Sequence, residues 1–197
     1  MSPQAYCQFV FLKQYITLIH AKKDWPTRCQ NTYITDETLV GPRQSLLTEL
    51  KVGDKAPDFS LLDEKGRPVS LKDFLGKNVV VLYFYPKDFT SGCTAEACSF
   101  RDNYKPFEEK GAVVIGVSVD SVESHEEFSQ KYNLPFDILS DSKKEVAKAY
   151  GVLGFGGFIA KRVTFIINKE GKIARIFPKV DVKQHSEEVL RAIEEIK

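Results

Sequence analysis

Two cysteines, Cys93 and Cys98, stand five residues apart, just behind the polar loop residues Thr90-Ser91-Gly92. A thiolate is a nucleophile and a thiol is a poor one, so the useful question is what would ionise either cysteine. The apolar run Val79–Tyr85 reads as a strand, Pro86 ends it, and a helical stretch opens at about Cys93. That places Cys93 in the first turn of a helix at the carboxyl end of a buried strand, where ligands bind in open α/β sheets. Unpaired N–H groups and the helix macrodipole favour an anion there. Spacing alone leaves other readings open. The pair could be structural, or two inert thiols in a core, since free Cys packs as a small hydrophobe. It could also be half of a zinc site, but zinc needs two further N or S ligands. Cys7, His20 and Cys29 are scattered through a segment of different composition and make poor candidates.

The elements that must position these residues alternate between β and α. Phe59–Leu62 and Val69–Leu71 flank the turn Asp63-Glu64-Lys65-Gly66 and predict a hairpin. Val79–Tyr85 is apolar throughout, as in a strand buried on both faces. A helix is predicted from Cys93 to about Glu109, and a second buried strand over Ala112–Val119. Two phrases, Ser124-His125-Glu126-Glu127 and Ser142-Lys143-Lys144-Glu145, read as capping boxes opening helices to about Tyr132 and Tyr150. Between them Phe136–Leu139 is a short strand. Val163–Ile167 and Lys172–Phe177 form a closing hairpin around Asn168-Lys169-Glu170-Gly171. Ser186–Ile196 is an amphipathic helix with Val189, Leu190, Ile193 and Ile196 on one face. The order predicts an α/β fold, a central mixed sheet flanked by helices, with an N-terminal β-hairpin and a thioredoxin-like ending.

Composition narrows the function classes. The chain has 197 residues, 43% hydrophobic and 28% charged, which fits a soluble globular protein. With 28 Lys and Arg against 27 Asp and Glu, the net charge of +1 gives no electrostatic case for nucleic acid. No run approaches the ~20 apolar residues of a membrane span. Four cysteines are too few for a disulfide scaffold, and the first residues do not read as a signal peptide. A reducing compartment, the cytoplasm, is therefore expected. Regular patterning begins near residue 48. Residues 1–47 are expected to be a poorly ordered N-terminal extension and residues 48–197 the domain.

The loop and helix carry a recognisable pattern. Pro86-x-x-x-Thr90-x-x-Cys93 resembles the peroxiredoxin active-site motif. The wider string Tyr83-Phe84-Tyr85-Pro86-Lys87-Asp88-Phe89-Thr90, followed by Gly92-Cys93-Thr94-x-Glu96-Ala97-Cys98-x-Phe100-Arg101-Asp102, resembles the peroxiredoxin Q, or bacterioferritin-comigratory, group. Val52-Gly53-Asp54-x-Ala56-Pro57-Asp58-Phe59, Val114–Asp120 and Arg162-Val163-Thr164-Phe165 match in the same order. Residues 1–47 have no part in the resemblance.

The resemblance implies a thioredoxin-like fold and a thiol peroxidase for hydrogen peroxide and alkyl hydroperoxides. Cys93 matches the peroxidatic cysteine and Cys98 the resolving cysteine, the two forming an internal disulfide. Thr90 matches the residue that hydrogen-bonds thiolate and peroxide, Pro86 the residue that shields the site, and Arg162 the arginine beside the thiolate. The implied reductant is thioredoxin or another dithiol protein, the implied state a monomer, and neither cofactor nor metal is expected. Thioredoxin-type disulfide exchange would need two cysteines separated by two residues, a motif absent here. Two features depart from the pattern. Ser91 stands where the family more often has Pro, and Gly151–Phe158 replaces a longer polar loop and reads as an apolar lid. Glu96 is expected near Arg162 or the backbone. His20, His125 and His185 are expected to be solvated or capping residues.

Overall fold

A computed structural model describes residues 49–196. The extension expected over residues 1–47, with Cys7, His20 and Cys29, lies outside the described residues. Among the described residues, seven strands form one mixed sheet: β1 (Ser60–Leu62), β2 (Pro68–Ser70), β3 (Val79–Phe84), β4 (Ala112–Ser118), β5 (Ile138–Ser140), β6 (Val163–Ile167) and β7 (Ile173–Phe177). Across the sheet they run β2-β1-β5-β4-β3-β6-β7. The helices are α1 (Ser91–Asp102), α2 (Tyr104–Glu109), α3 (Val122–Tyr132), α4 (Glu145–Ala149) and α5 (His185–Glu195). The expected opening hairpin forms between β1 and β2, and the closing antiparallel hairpin between β6 and β7, followed by α5.

β3 shows no polar alternation because both of its faces are covered. Val80, Leu82 and Phe84 enter one core with Phe165, Ile167 and the α4 residues Val146 and Ala147. Val81, Tyr83 and Tyr85 enter the other, with Cys93, Ala97 and Phe100 of α1, Phe128 of α3, and Val189 and Ile193 of α5. The two-residue period of a strand divides one apolar run between two cores. Tyr83 and Tyr85 are 1% exposed, so the strand leads directly from a core into the loop ahead of Cys93.

Three local expectations are corrected. The predicted helix Cys93–Glu109 starts earlier, at Ser91, and breaks at Asn103 into α1 and α2. Pro106 has no N–H to offer the Asp102 carbonyl and its ring would crowd it, whereas the first turn of α2 tolerates it. Helix α3 is capped by Ser121, whose hydroxyl accepts the Ser124 N–H at 3.3 Å, and not by Ser124. Ser124 turns its own hydroxyl to a buried carboxylate, Asp88. Helix α4 starts at Glu145 and is held by Asp141, which takes the N–H groups of Val146 and Ala147 at 3.3 and 2.7 Å. Ser142 does not cap it, because Lys144 adopts a left-handed conformation (φ 63°) between them.

Candidate active site

β3 and β6 are antiparallel neighbours with Phe84 opposite Val163. The end of β3 therefore meets the start of β6. The chain leaving β3 passes through Pro86–Thr90 into α1, and Arg162 immediately precedes β6. That register brings Arg162 to Cys93 across 69 residues of sequence.

Cys93 is the third residue of α1 and 2% exposed. Arg162 Nη2 donates to Cys93 Sγ at 3.2 Å, and Nη1 donates to Glu96 Oε2. Glu96 is three residues past Cys93, so both lie on one face of the helix. A single planar guanidinium thus bridges thiol and carboxyl, a geometry that lysine could not reproduce. Burial opposes the Arg162 charge, but Glu96 and Cys93 outweigh it and hold its pKa above the ordinary value. Gly92 makes room for this contact, since a Cβ there would lie 3.3 Å from Arg162 Nη2.

Glu96 is fully buried, and its Oε1 has no hydrogen-bond partner among the described residues. Burial pushes its carboxyl from 4.5 up to about 7, with Arg162 pulling the other way. A carboxyl that binds its proton more tightly when folded adds stability that is fully present below 4.5 and lost as pH rises through about 7. Glu96→Gln removes that titration. The difference in denaturation free energy between variant and wild type should change between pH 4.5 and 7 and level off above. A difference that stays constant across this window would show that the carboxyl is not shifted.

Thr90 is the N-cap of α1 in an extended conformation. Its hydroxyl donates to the Lys87 carbonyl at 3.1 Å and its carbonyl accepts the Thr94 N–H at 2.9 Å. Pro86, half-buried, opens the loop. Cys98 is half-buried on the same helix, and both cysteines are free thiols. Among the described residues no third ligand-type side chain joins them into a metal site. In a regular helix, residues five apart have Cα atoms about 8.7 Å apart and point roughly 140° away from each other. A disulfide spans at most about 7 Å between Cα atoms, so the helix as it stands does not permit the bond.

The family model for AhpC/TSA matches residues 52–176. The chain belongs to the AhpC/TSA family. Peroxiredoxin Bcp of Bacillus subtilis is 44% identical over 153 residues, which cover 75% of this chain and 97% of that one. Peroxidoxin BcpB of Mycobacterium tuberculosis superposes with a TM-score of 0.70 at 35% identity, covering 75% of this chain and 99% of its own. The bacterioferritin comigratory protein of Xanthomonas campestris, whose structures concern its alkyl peroxide reduction activity, gives 0.68 at 32% identity, over 75% and 97% of the two chains. The thioredoxin-like fold and the resemblance to peroxiredoxin Q are thereby confirmed. The protein is a thiol peroxidase, an oxidoreductase that uses a peroxide substrate and a thiol reductant.

Two histidines of this peroxiredoxin depart from expectation. His125 and His185 are neither solvated nor simple caps; both are fully buried. His185 Nε2 shares a 2.7 Å hydrogen bond with Thr164 Oγ1, and the rings of Phe100 and Phe177 stand edge-on to it. Burial, and secondarily the Arg162 charge, hold its pKa down to about 4, so the ring is a neutral core group. His125 Nδ1 lies 2.7 Å from Asp88 Oδ2. His20 is outside the described residues. The run Gly151–Phe158 folds back on itself through the Leu153–Ala160 bridge and the Gly154 N–H to Ile159 carbonyl bond of 2.8 Å, leaving Phe158 72% exposed. Sequence reasoning passed over Asp88 and the close packing at Gly92. A charged residue inside an aromatic strand-to-loop segment was the available signal for Asp88.

Proposed function

We propose that Cys93 is the peroxidatic nucleophile and Cys98 the residue that resolves it. The observation that carries this reading is the Arg162 guanidinium 3.2 Å from a buried sulfur in the first turn of a helix. The Cys93 thiolate attacks one peroxide oxygen and the O–O bond breaks. The sulfur is oxidised to a sulfenic acid, and the departing alkoxide or hydroxide takes up a proton. Arg162 stabilises the thiolate and the charge developing on the peroxide oxygens. Thr90, turning its hydroxyl from the Lys87 carbonyl, donates to the peroxide, and Pro86 shields the sulfur from water. The Cys98 thiolate then attacks the sulfenic sulfur, a disulfide forms, and hydroxide leaves as water. Thioredoxin or a similar dithiol protein reduces the disulfide. Hydrogen peroxide and alkyl hydroperoxides are the substrates, the cytoplasm the compartment, and a monomer the working unit.

Intact mass after one equivalent of peroxide tests the assignment. An internal disulfide loses two hydrogens, whereas a cysteine without a resolving partner gains one oxygen. Because Cys93 and Cys98 share α1, resolution requires the first turns of that helix to open. Amide exchange across Thr90–Phe100 should therefore speed up on oxidation. Equal protection in both states, with the disulfide verified, would refute the opening step. Slow opening would leave the sulfenic acid exposed to a second peroxide and oxidation to the sulfinic acid.

Residues 48–197 are read as the whole catalytic domain, with residues 1–47 outside it. Deleting 1–47 should leave peroxidase activity and cooperative unfolding unchanged, with Cys7 and Cys29 idle in the cycle. A truncated chain that loses either property would place the segment within the domain.

A further inference from the structure

Asp88 is 3% exposed in a loop whose neighbours Lys87, Phe89, Thr90 and Ser91 are all exposed. A buried charge is costly unless its hydrogen bonds are satisfied, and here they are. Oδ1 accepts from the Tyr85 hydroxyl at 2.7 Å. Oδ2 accepts from the Ser124 hydroxyl and from His125 Nδ1, each at 2.7 Å. A carboxylate only accepts, so Nδ1 is the histidine nitrogen that carries the hydrogen. The Asp88 N–H donates to Asp120 Oδ2 at 2.8 Å, and that oxygen is also held by the Ser118 hydroxyl at 2.9 Å. Burial works against the Asp88 charge, yet the bonds from His125, Ser124 and Tyr85 hold its pKa below the ordinary value.

The next residue, Phe89, is in the left-handed region (φ 59°), unusual for an aromatic side chain and maintained only where the surroundings enforce it. Its ring meets Phe128 edge-on, with centroids 5.2 Å apart, and the Lys131 ammonium lies 5.4 Å from its centre. Residues 88 and 89 thus lie along Ser124, His125, Phe128 and Lys131, one face of α3. Thr90, the N-cap of α1, follows directly, with Cys93 three residues beyond.

We propose that Asp88 is the positioning residue of the catalytic loop, clamping residues 86–90 onto α3 through His125 and Ser124, with Tyr85 at the end of the preceding strand bracing its other oxygen, so that the first turn of α1 presents Cys93 to peroxide. The proposal rests on the reading of Cys93 as the reacting thiol. A carboxylate bonded from three side chains admits one loop position, whereas an apolar residue would seat the loop less specifically. In-line attack on an O–O bond is sensitive to such placement, a shift of about 1 Å costing on the order of 100-fold in rate.

The test compares Asp88→Asn, His125→Ala and His125→Asn in the full, reduced chain. Asn at position 88 keeps the shape but replaces one acceptor oxygen with a donor. Asn at position 125 keeps an N–H near the place of Nδ1, and Ala removes it. The first turnover with one equivalent of hydrogen peroxide should slow on the order of 100-fold in Asp88→Asn. It should slow in the same direction in His125→Ala, and His125→Asn should recover most of that loss. Amide exchange over residues 86–94, read without peroxide, should speed up in Asp88→Asn and His125→Ala and stay near wild type in His125→Asn. This second readout holds even if another thiol proves to be the nucleophile. Wild-type exchange in Asp88→Asn overturns the proposal, as does a lowered melting temperature with an unchanged first-turnover rate. Should Asp88→Asn fail to fold, the His125 pair decides alone, and equal effects of Ala and Asn overturn it.

Discussion

Cys93→Ser should abolish peroxide turnover altogether, while Cys98→Ser should consume about one equivalent of peroxide and then stall with thioredoxin. The asymmetry follows from where the two sulfurs sit. Cys93 is buried in the first turn of α1 and accepts a hydrogen bond from Arg162. A serine hydroxyl in its place is a far weaker acid and forms no sulfenic acid, so the O–O bond has no nucleophile. Cys98 lies on the same helix five residues on, in a direction roughly 140° away, and in the proposed division of roles it takes no part in the first displacement. Its removal leaves that displacement intact and blocks only disulfide formation. Stopped-flow measurement of the first turnover, with the sulfenic acid trapped by a dimedone-type reagent, separates the two steps. Equal loss of the first turnover in both variants would overturn the division of roles.

Arg162→Ala should slow the first displacement by about 2–4 kcal/mol in barrier, or on the order of 30- to 1000-fold, as for other lost donors at a developing charge. The residue does two things at once. Nη2 donates to the sulfur at 3.2 Å and Nη1 holds Glu96, a fully buried carboxyl. The alanine variant therefore removes the cation beside the sulfur and also strands Glu96 without its one hydrogen-bond partner among the described residues. Arg162→Lys separates these effects, because a point ammonium cannot span both groups. It should recover part of the rate, and less of it as pH rises and Glu96 ionises, since the carboxylate then competes with the sulfur for a single cation. A first-turnover rate in Arg162→Ala equal to wild type would place the guanidinium outside the reaction.

The chain itself determines much of this protein. The unbroken apolar run Val79–Tyr85 is legible as a strand covered on both faces, and Val80 and Val81 do enter separate cores. Pro86, Thr90, Cys93 and Cys98 are local, so one loop and one helix set their order, and the hairpin-then-helix ending is written in Asn168-Lys169-Glu170-Gly171 and the stripe of α5. The break at Asn103 is also encoded in the chain, since Pro106 forbids a continuous helix by its own chemistry, although the expected helix ran through it to Glu109. Other features were decided only in three dimensions. Arg162 reaches Cys93 because Phe84 pairs with Val163, a register set by the packing of whole strands. His125 and His185 looked like surface residues at helix starts, and both are fully buried because α3 and α5 lay those turns against the sheet. Glu96 and Asp88 are two carboxylates on neighbouring segments, yet burial shifts one up and hydrogen bonds hold the other down. Sequence specifies contacts within about one helical turn or one tight hairpin, where covalent connection limits the geometry. The charge of a buried group depends on partners and solvent exclusion from distant parts of the chain, and those exist only once the sheet and its helices have closed around it.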